Sequence, residues 1–372
     1  MPQGSVLGPL LFLVFINDIA SVVNSNIKLY ADDTTIFVSV DNPQVAADVL
    51  NNDLASIKSW ADTWLVTFSP PKTESMTVTL RNRSQSHPNL YLDNLPIVDV
   101  PCHKHLGITI SNNLDWHFQV HDVCSKAGER LDIMSRLMYK LDRKTLETMY
   151  FSYVRPKLEY SDIVWSNLTE TQVHQIELVQ KRAGRIVSGA IKGTSTSVIY
   201  HELGWSSLES RREQHIVLFM HKVIHGNIPG YLQDVIPETV QDRTNYNLRN
   251  NDHVTQFRTR LTLFYNSIFP RGVRCWNLLD PSLKNIDNHL EFKSEYLRGS
   301  PKPNQLYYHG DRKTALVLSR IRMCSTLRAH LFDNKVIPDS ACQCGHDKGD
   351  GIRYFSYAHY TRTIDKFCSR VY

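Results

Sequence analysis

Two β-rich runs, Ile27-Lys28-Leu29-Tyr30 and Thr35-Ile36-Phe37-Val38-Ser39-Val40, flank Ala31-Asp32-Asp33, and they constrain the fold more than any other stretch of the chain. Branched and aromatic residues on both sides of a short polar gap predict a hairpin with two carboxylates at its tip. Strand–turn–strand geometry aims both carboxylates outward from a buried, β-branched flank. Carboxylates crowded into one small volume repel each other, and divalent cations between them relieve the repulsion. Two-metal phosphoryl transfer uses such a pair: one cation activates an attacking hydroxyl and the other steadies a pyrophosphate leaving group. Taken alone, the same residues also describe a solvated turn.

The surroundings predict an α+β beginning. Gly8-Pro9 followed by Leu10, Leu11, Val14 and Phe15 reads as a turn into a buried helix over 9–20, with proline in the first turn. Asp41-Asn42-Pro43 caps a helix over 43–64 whose apolar positions are Ala46, Leu50, Leu54, Ile57, Ala61 and Trp64. Strands are expected at 76–80 and 106–110. After about residue 115 the pattern turns helical, over 118–141, 143–154, 170–187 and 207–225, with a Gly/Ser/Thr-rich break at 189–196. Residues 227–303 are polar, hold several prolines and show weak periodicity, which predicts irregular chain. A last helix is expected over 313–332.

Charge divides the chain in the same way. Residues 1–119 hold 6 Lys and Arg against 11 Asp and Glu, whereas residues 120–372 hold 36 against 26. An acidic start followed by a basic remainder suits an early segment that gathers cations and later segments that meet a polyanion. The 7 cysteines are scattered too irregularly for a disulfide framework. The apolar run over 6–16 has no basic leader and is shorter than the roughly 20 residues that span a bilayer. The expectation is an intracellular protein, nuclear or cytoplasmic, with no membrane partner.

The opening Pro2-Gln3-Gly4-Ser5-Val6-Leu7-Gly8-Pro9-Leu10-Leu11-Phe12, followed by Tyr30-Ala31-Asp32-Asp33, resembles the reverse transcriptases of non-LTR, LINE-type retrotransposons, particularly the jockey-like group. The resemblance continues through Trp60, Trp64-Leu65 and Ser69-Pro70-Pro71-Lys72-Thr73-Glu74. It includes His103-Lys104-His105-Leu106-Gly107-Ile108, which is similar to the family's primer-grip hairpin. Further on, Tyr150, Tyr153-Val154-Arg155-Pro156-Lys157-Leu158-Glu159-Tyr160 and Val179-Gln180-Lys181-Arg182-Ala183 are similar to its helical thumb. In the tail, Cys342, Cys344 and His359 resemble a Cys/His cluster, but Tyr354 stands where a histidine is expected. That leaves three good zinc ligands where structural zinc takes four.

The resemblance implies a partial polymerase palm over 1–115, an all-α thumb-like region over 116–225, an irregular connector over 226–312, and a C-terminal helix with a degenerate Cys/His tail over 313–372. It implies RNA-directed DNA synthesis, with Asp32 and Asp33 holding Mg²⁺ or Mn²⁺ and Lys72 protonating the departing pyrophosphate. Gln3, Gly4, Ser5 and Tyr30 would lie at the nascent base pair, and Lys181, Arg182 and Arg185 along phosphates. Zn²⁺ would sit in the tail if three ligands suffice. The implied partners are an RNA template, a DNA primer or target DNA, and dNTPs. In the family the first catalytic aspartate precedes the Pro-Gln-Gly-Ser loop. The chain is therefore expected to be an N-terminally truncated fragment of a longer polyprotein, inactive when isolated. The alternative function is that of a non-catalytic nucleic-acid-binding protein derived from a mobile element.

Overall fold

The computed structural model describes residues 7–80, 87–243 and 251–301, and beyond them Arg312, Ala315, Leu316, Ser319, Arg320 and Met323. The chain forms two units, Met1–Gln119 and Val120–Tyr372. No described helix is long and apolar enough to cross a membrane.

In the first unit, α1 (Leu7–Ile16) runs into a 3-10 turn, Asn17–Val22. β1 (Asn26–Tyr30) and β2 (Asp33–Phe37) then form an antiparallel hairpin. α2 (Pro43–Trp64) starts where the sequence predicts: the Asn42 side chain accepts from the amide of Gln44 at 2.9 Å, and Pro43 fills the first turn. Its buried stripe is Ala47, Leu54, Ile57, Trp60 and Ala61. The expected ends of that stripe are corrected: Ala46 is half-buried, and Trp64 is exposed, with ring contacts to Phe15 and Trp60. Ile57, Trp60 and Ala61 of α2 meet Ile16, Ile19 and the inward hairpin residues Ile27, Leu29 and Ile36 in one apolar cluster.

The rest of this unit departs from a continuous sheet. Every described sheet has two strands. β3 (Glu74–Ser75), not 76–80, carries the strand there, and it pairs in parallel with β6 (Val98–Asp99). β4 (Tyr91–Leu92) and β5 (Leu95–Pro96) form a hairpin, as do β7 (Cys102–His105) and β8 (Ile108–Ser111). The strand expected over 106–110 is thus interrupted at its start, because Leu106 and Gly107 take φ of 47° and 83° in a tight turn. His103 Nδ1 lies 2.6 Å from Glu74 Oε2, a contact between β7 and β3.

The second unit is helical. α3 (His117–Leu137), which begins just before the unit boundary, buries Val120, Val123, Ala127, Leu131 and Met134 at three- and four-residue spacing. α4 (Arg143–Met149) passes through a π-turn, Tyr150–Val154, into α5 (Arg155–Leu158). α6 (Glu170–Ser188) begins with a full capping box between Thr169 and Gln172 and ends at Gly189, φ 74°. α7 (Thr196–Leu203) follows the expected break and is capped by Ser195; it is too short for its periodicity to stand out. α8 (Leu208–Ile224) completes the region.

Residues 251–301 correct the expectation of irregular chain. After the single-turn helices α9 (Gly230–Gln233), α10 (Val240–Arg243) and α11 (Thr262–Tyr265) come α12 (Ile268–Asn277), α13 (Pro281–Lys284) and α14 (His289–Tyr296). Val254, Val273, Trp276 and Phe292 pack with Ile216, Val217 and Met220 of α8 into a buried core. These helices are too short to repeat an apolar period, so widely separated large residues build the core. Most of the helix expected over 313–332 lies outside the described residues.

Candidate active site

The hairpin places its residues by alternation. Ile27 and Leu29 face inward with Thr34 and Ile36, and the register pairs Tyr30 with Asp33 on the outward face. Ala31 and Asp32 form the two-residue turn, with Ala31 at φ 51°, the left-handed value that right-twisted strands require at this position. Tyr30, Asp32 and Asp33 are all exposed. Neither carboxylate makes a hydrogen bond or ion pair with a described residue, so both are open to a cation. Among the described residues no cluster of three or more acidic, histidine or cysteine side chains is placed to hold a metal.

The hairpin is fixed from behind by a residue that the periodic reading of α2 passes over. Asp53 lies fully buried on α2, and its carboxylate accepts from the backbone amides of Asn24 at 2.9 Å and Ser25 at 2.8 Å, just ahead of β1. Burial pushes this carboxyl up, but the Ser25 and Asn24 hydrogen bonds outweigh it and hold the group below the usual value. The signal was present in the sequence: Asp53 is three residues after Leu50 and four before Ile57, on the buried face. Asp18 plays a smaller part, accepting from Trp60 Nε1 at 3.2 Å.

The other expected site residues are dispersed. Lys72 ends an exposed 3-10 turn, Pro70–Lys72, and makes no ion pair with a described residue. Gln3, Gly4 and Ser5, and the tail residues Cys342, Cys344 and His359, lie outside the described residues. Lys181, Arg182 and Arg185 share α6 in the second unit. Arg182 is ion-paired with Asp132. Lys181 is half-buried, and burial together with the neighbouring Arg185 cation pushes its ammonium down. Arg185 Nε is buried without a hydrogen-bond partner among the described residues. Among aromatic residues of the same unit, Tyr153 and Tyr160 are exposed, and Trp165 is a core residue whose Nε1 donates to the Tyr160 carbonyl.

The first part of the chain is similar to known proteins. Residues 1–110 match the family of reverse transcriptases (RNA-dependent DNA polymerases). The chain is 26% identical over 230 residues to the "Probable RNA-directed DNA polymerase from transposon BS" of Drosophila melanogaster, covering 58% of this chain and 25% of that protein. It is 26% identical over 239 residues to the RNA-directed DNA polymerase from mobile element jockey of the same species, covering 61% of this chain and 26% of that protein. The chain therefore spans about a quarter of the length of these relatives. No solved structure matches it. Over residues 1–110 the chain is thus similar to reverse transcriptases, and over a longer stretch to the RNA-directed DNA polymerases of transposon BS and mobile element jockey.

Proposed function

We propose that this chain serves RNA-directed DNA synthesis in a retrotransposon, with Asp32 and Asp33 as metal ligands of a two-metal nucleotidyl transfer. The observation that carries this reading is the hairpin tip: two adjacent carboxylates, exposed and unpaired, on a turn whose other face is locked into a core. Such a hard, anionic oxygen donor set suits Mg²⁺ or Mn²⁺. Bound there, a divalent cation would lower the pKa of the primer 3′-hydroxyl and neutralise charge on the leaving pyrophosphate. The chain's own part is to hold the two carboxylates at fixed spacing and to offer the Tyr30 ring beside them. Lys72 is a candidate proton donor to the pyrophosphate, and Gln3, Gly4 and Ser5 are candidates for contact with the incoming nucleotide. Lys181 and Arg185 are proposed to meet backbone phosphates of an RNA template or DNA primer, where each neutralised phosphate releases counterion.

Among the described residues no third ligand joins the two carboxylates, which by themselves make an incomplete cage for two cations. The 372-residue polypeptide alone is therefore expected to extend a primer weakly or not at all with dNTPs and Mg²⁺ or Mn²⁺. Binding is tested separately, by Mn²⁺ broadening of the Asp32 and Asp33 amide resonances, which Asp32→Asn should reduce. Broadening that persists in the double variant Asp32→Asn/Asp33→Asn would remove the metal assignment. Robust extension unaffected by Asp32→Asn would remove the catalytic one. The same shortfall in ligands favours a second reading, a non-catalytic nucleic-acid-binding protein, which requires salt-dependent RNA or DNA binding without extension.

A further inference from the structure

The π-turn at Tyr150–Val154 has a local cause. Pro156 has no N–H, and its ring would crowd the carbonyl of Ser152 in a regular helix, so the Arg155 amide reaches back five residues to the Tyr150 carbonyl. Tyr150 and Phe151 of this turn, with Arg155 just after it, line a cleft of about 280 Å³ in the second unit. Its floor is rigid. Tyr150 and Trp205 stack with centroids 4.2 Å apart and planes within 16°. The Tyr150 hydroxyl donates to Gln180 Oε1 at 2.6 Å, and Trp205 Nε1 donates to Glu147 Oε1 at 3.0 Å. Leu297 and Pro301 add an apolar wall.

The rim is cationic and under-neutralised. Arg155 and Arg211 share one carboxylate, Glu159. Arg211 takes it in a fork, whereas Arg155 Nε stays 3.6 Å from Glu159 Oε2 and makes no hydrogen bond with a described residue. The Arg155 guanidinium lies over the Phe151 ring, 4.4 Å from its centroid. Burial, and then repulsion from Arg211, disfavour its charge, which an incoming anion would relieve. Gln214, also on the cleft, has an amide with no partner among the described residues.

We propose that this cleft seats one nucleotide unit, its base against the Phe151 and Trp205 side of the cleft and its phosphate on Arg155, as part of a single-stranded nucleic acid. The proposal deepens the nucleic-acid reading above and rests on it. Its size supports the choice: the volume is near the lower end for small-ligand sites, roughly 300 Å³, which suits a mononucleotide and excludes a duplex. Aromatic rings with a guanidinium that only shares a carboxylate, at 3.6 Å, match a base and its phosphate, and such recognition tolerates any sequence.

The test uses the full chain and measures affinity for oligo-dT, for an abasic strand of equal length, for duplex DNA and for free dTMP. Oligo-dT should bind more tightly than the abasic strand or the duplex and should quench tryptophan fluorescence. Arg155→Gln should weaken oligo-dT binding about tenfold, and Arg155→Lys should fail to restore it in full. Lys157→Gln, an exposed neighbour that removes the same charge, should change it at most about twofold. Gln214→Ala supplies a second cleft variant should Arg155→Gln prove unstable by thermal melting. Binding of dTMP as tight as that of the strand would assign free nucleotides as the ligand of the same cleft. Equal effects of Arg155→Gln and Lys157→Gln, or equal affinity for abasic and oligo-dT strands, would overturn the cleft proposal and leave nucleic-acid binding standing. Failure of the wild type to bind any strand would overturn both.

Discussion

A carboxylate shut away from water must find donors, and Asp53 finds them in the amides of Asn24 and Ser25 just before β1. Asp53→Ala would leave both amides without their acceptor and is expected to destabilise the first unit by about 3 kcal/mol, with Asp53→Asn losing less. Urea denaturation of both variants checks this. Because the folded carboxyl is held below its ordinary value, its contribution is present above the unfolded pKa of about 3.9 and is lost as pH falls through the folded value. Wild-type stability should therefore drop below about pH 4 more steeply than that of Asp53→Asn. At the tip of the same hairpin, Ala31 holds a left-handed φ of 51°. Ala31→Val should destabilise the hairpin by about 1–2 kcal/mol, since a β-branched residue fits poorly there.

At the scale of elements, α1 and α6 show what packing demands of neighbours. The inward residues Phe15 and Ile16 of α1 join the core, but Leu7, Leu10, Leu11, Leu13 and Val14 are exposed. A contiguous apolar face of this kind promotes association. The double variant Leu10→Lys/Val14→Glu is expected to reduce self-association in sedimentation without lowering the unfolding midpoint. α6 meets α7 at Gly184, where a Cβ would stand 2.6 Å from Ile199 Cγ2. Gly184→Val should thus force the two helices apart and cost roughly 1–3 kcal/mol. An unchanged midpoint for that variant would show that α7 can shift freely.

Across the whole molecule, the two units respond to pH in different windows. In the second unit, fully buried His221 is 2.7 Å from the Ile286 carbonyl through Nε2, and a carbonyl can only accept, so the proton is on Nε2. Its Nδ1 must then accept from His289 Nδ1 at 3.2 Å, while His225 lies beside it and Asp287 beyond. Burial pushes His221 down, although its bond to the Ile286 carbonyl opposes this; burial, Lys222, His221 and Lys293 push His289 down. Asp287 opposes this for His221. A histidine whose folded pKa lies below its unfolded value of about 6.5 loses stability as pH falls through that window. The midpoint of the second unit should fall between pH 7.5 and 5.5, and less so in His289→Asn, whereas the first unit should respond near pH 4. A flat profile for both proteins over the upper window would show that the imidazoles titrate freely.

The sequence by itself determined the elements whose cause is local. The β1–β2 hairpin follows from branched residues around a two-residue turn, the start of α2 from Asn42-Pro43, and the start of α6 from Thr169 and Gln172, because alternation and capping act over a few residues. The adjacent carboxylates at the tip were legible for the same reason. Tertiary structure alone decided what depends on distant partners. It broke the expected sheet into two-stranded pieces and placed Asp53 beneath the hairpin. It buried Trp165, and it drew Val254, Trp276 and Phe292 from weakly periodic chain into a core on α8. It also set Arg155, Phe151 and Gln214 around one cleft, through a π-turn caused by Pro156 but useful only because α8 and the α14 end stand opposite. Burial is a property of which surfaces meet, and residues far apart in the chain carry no local signal of the neighbour that will cover them.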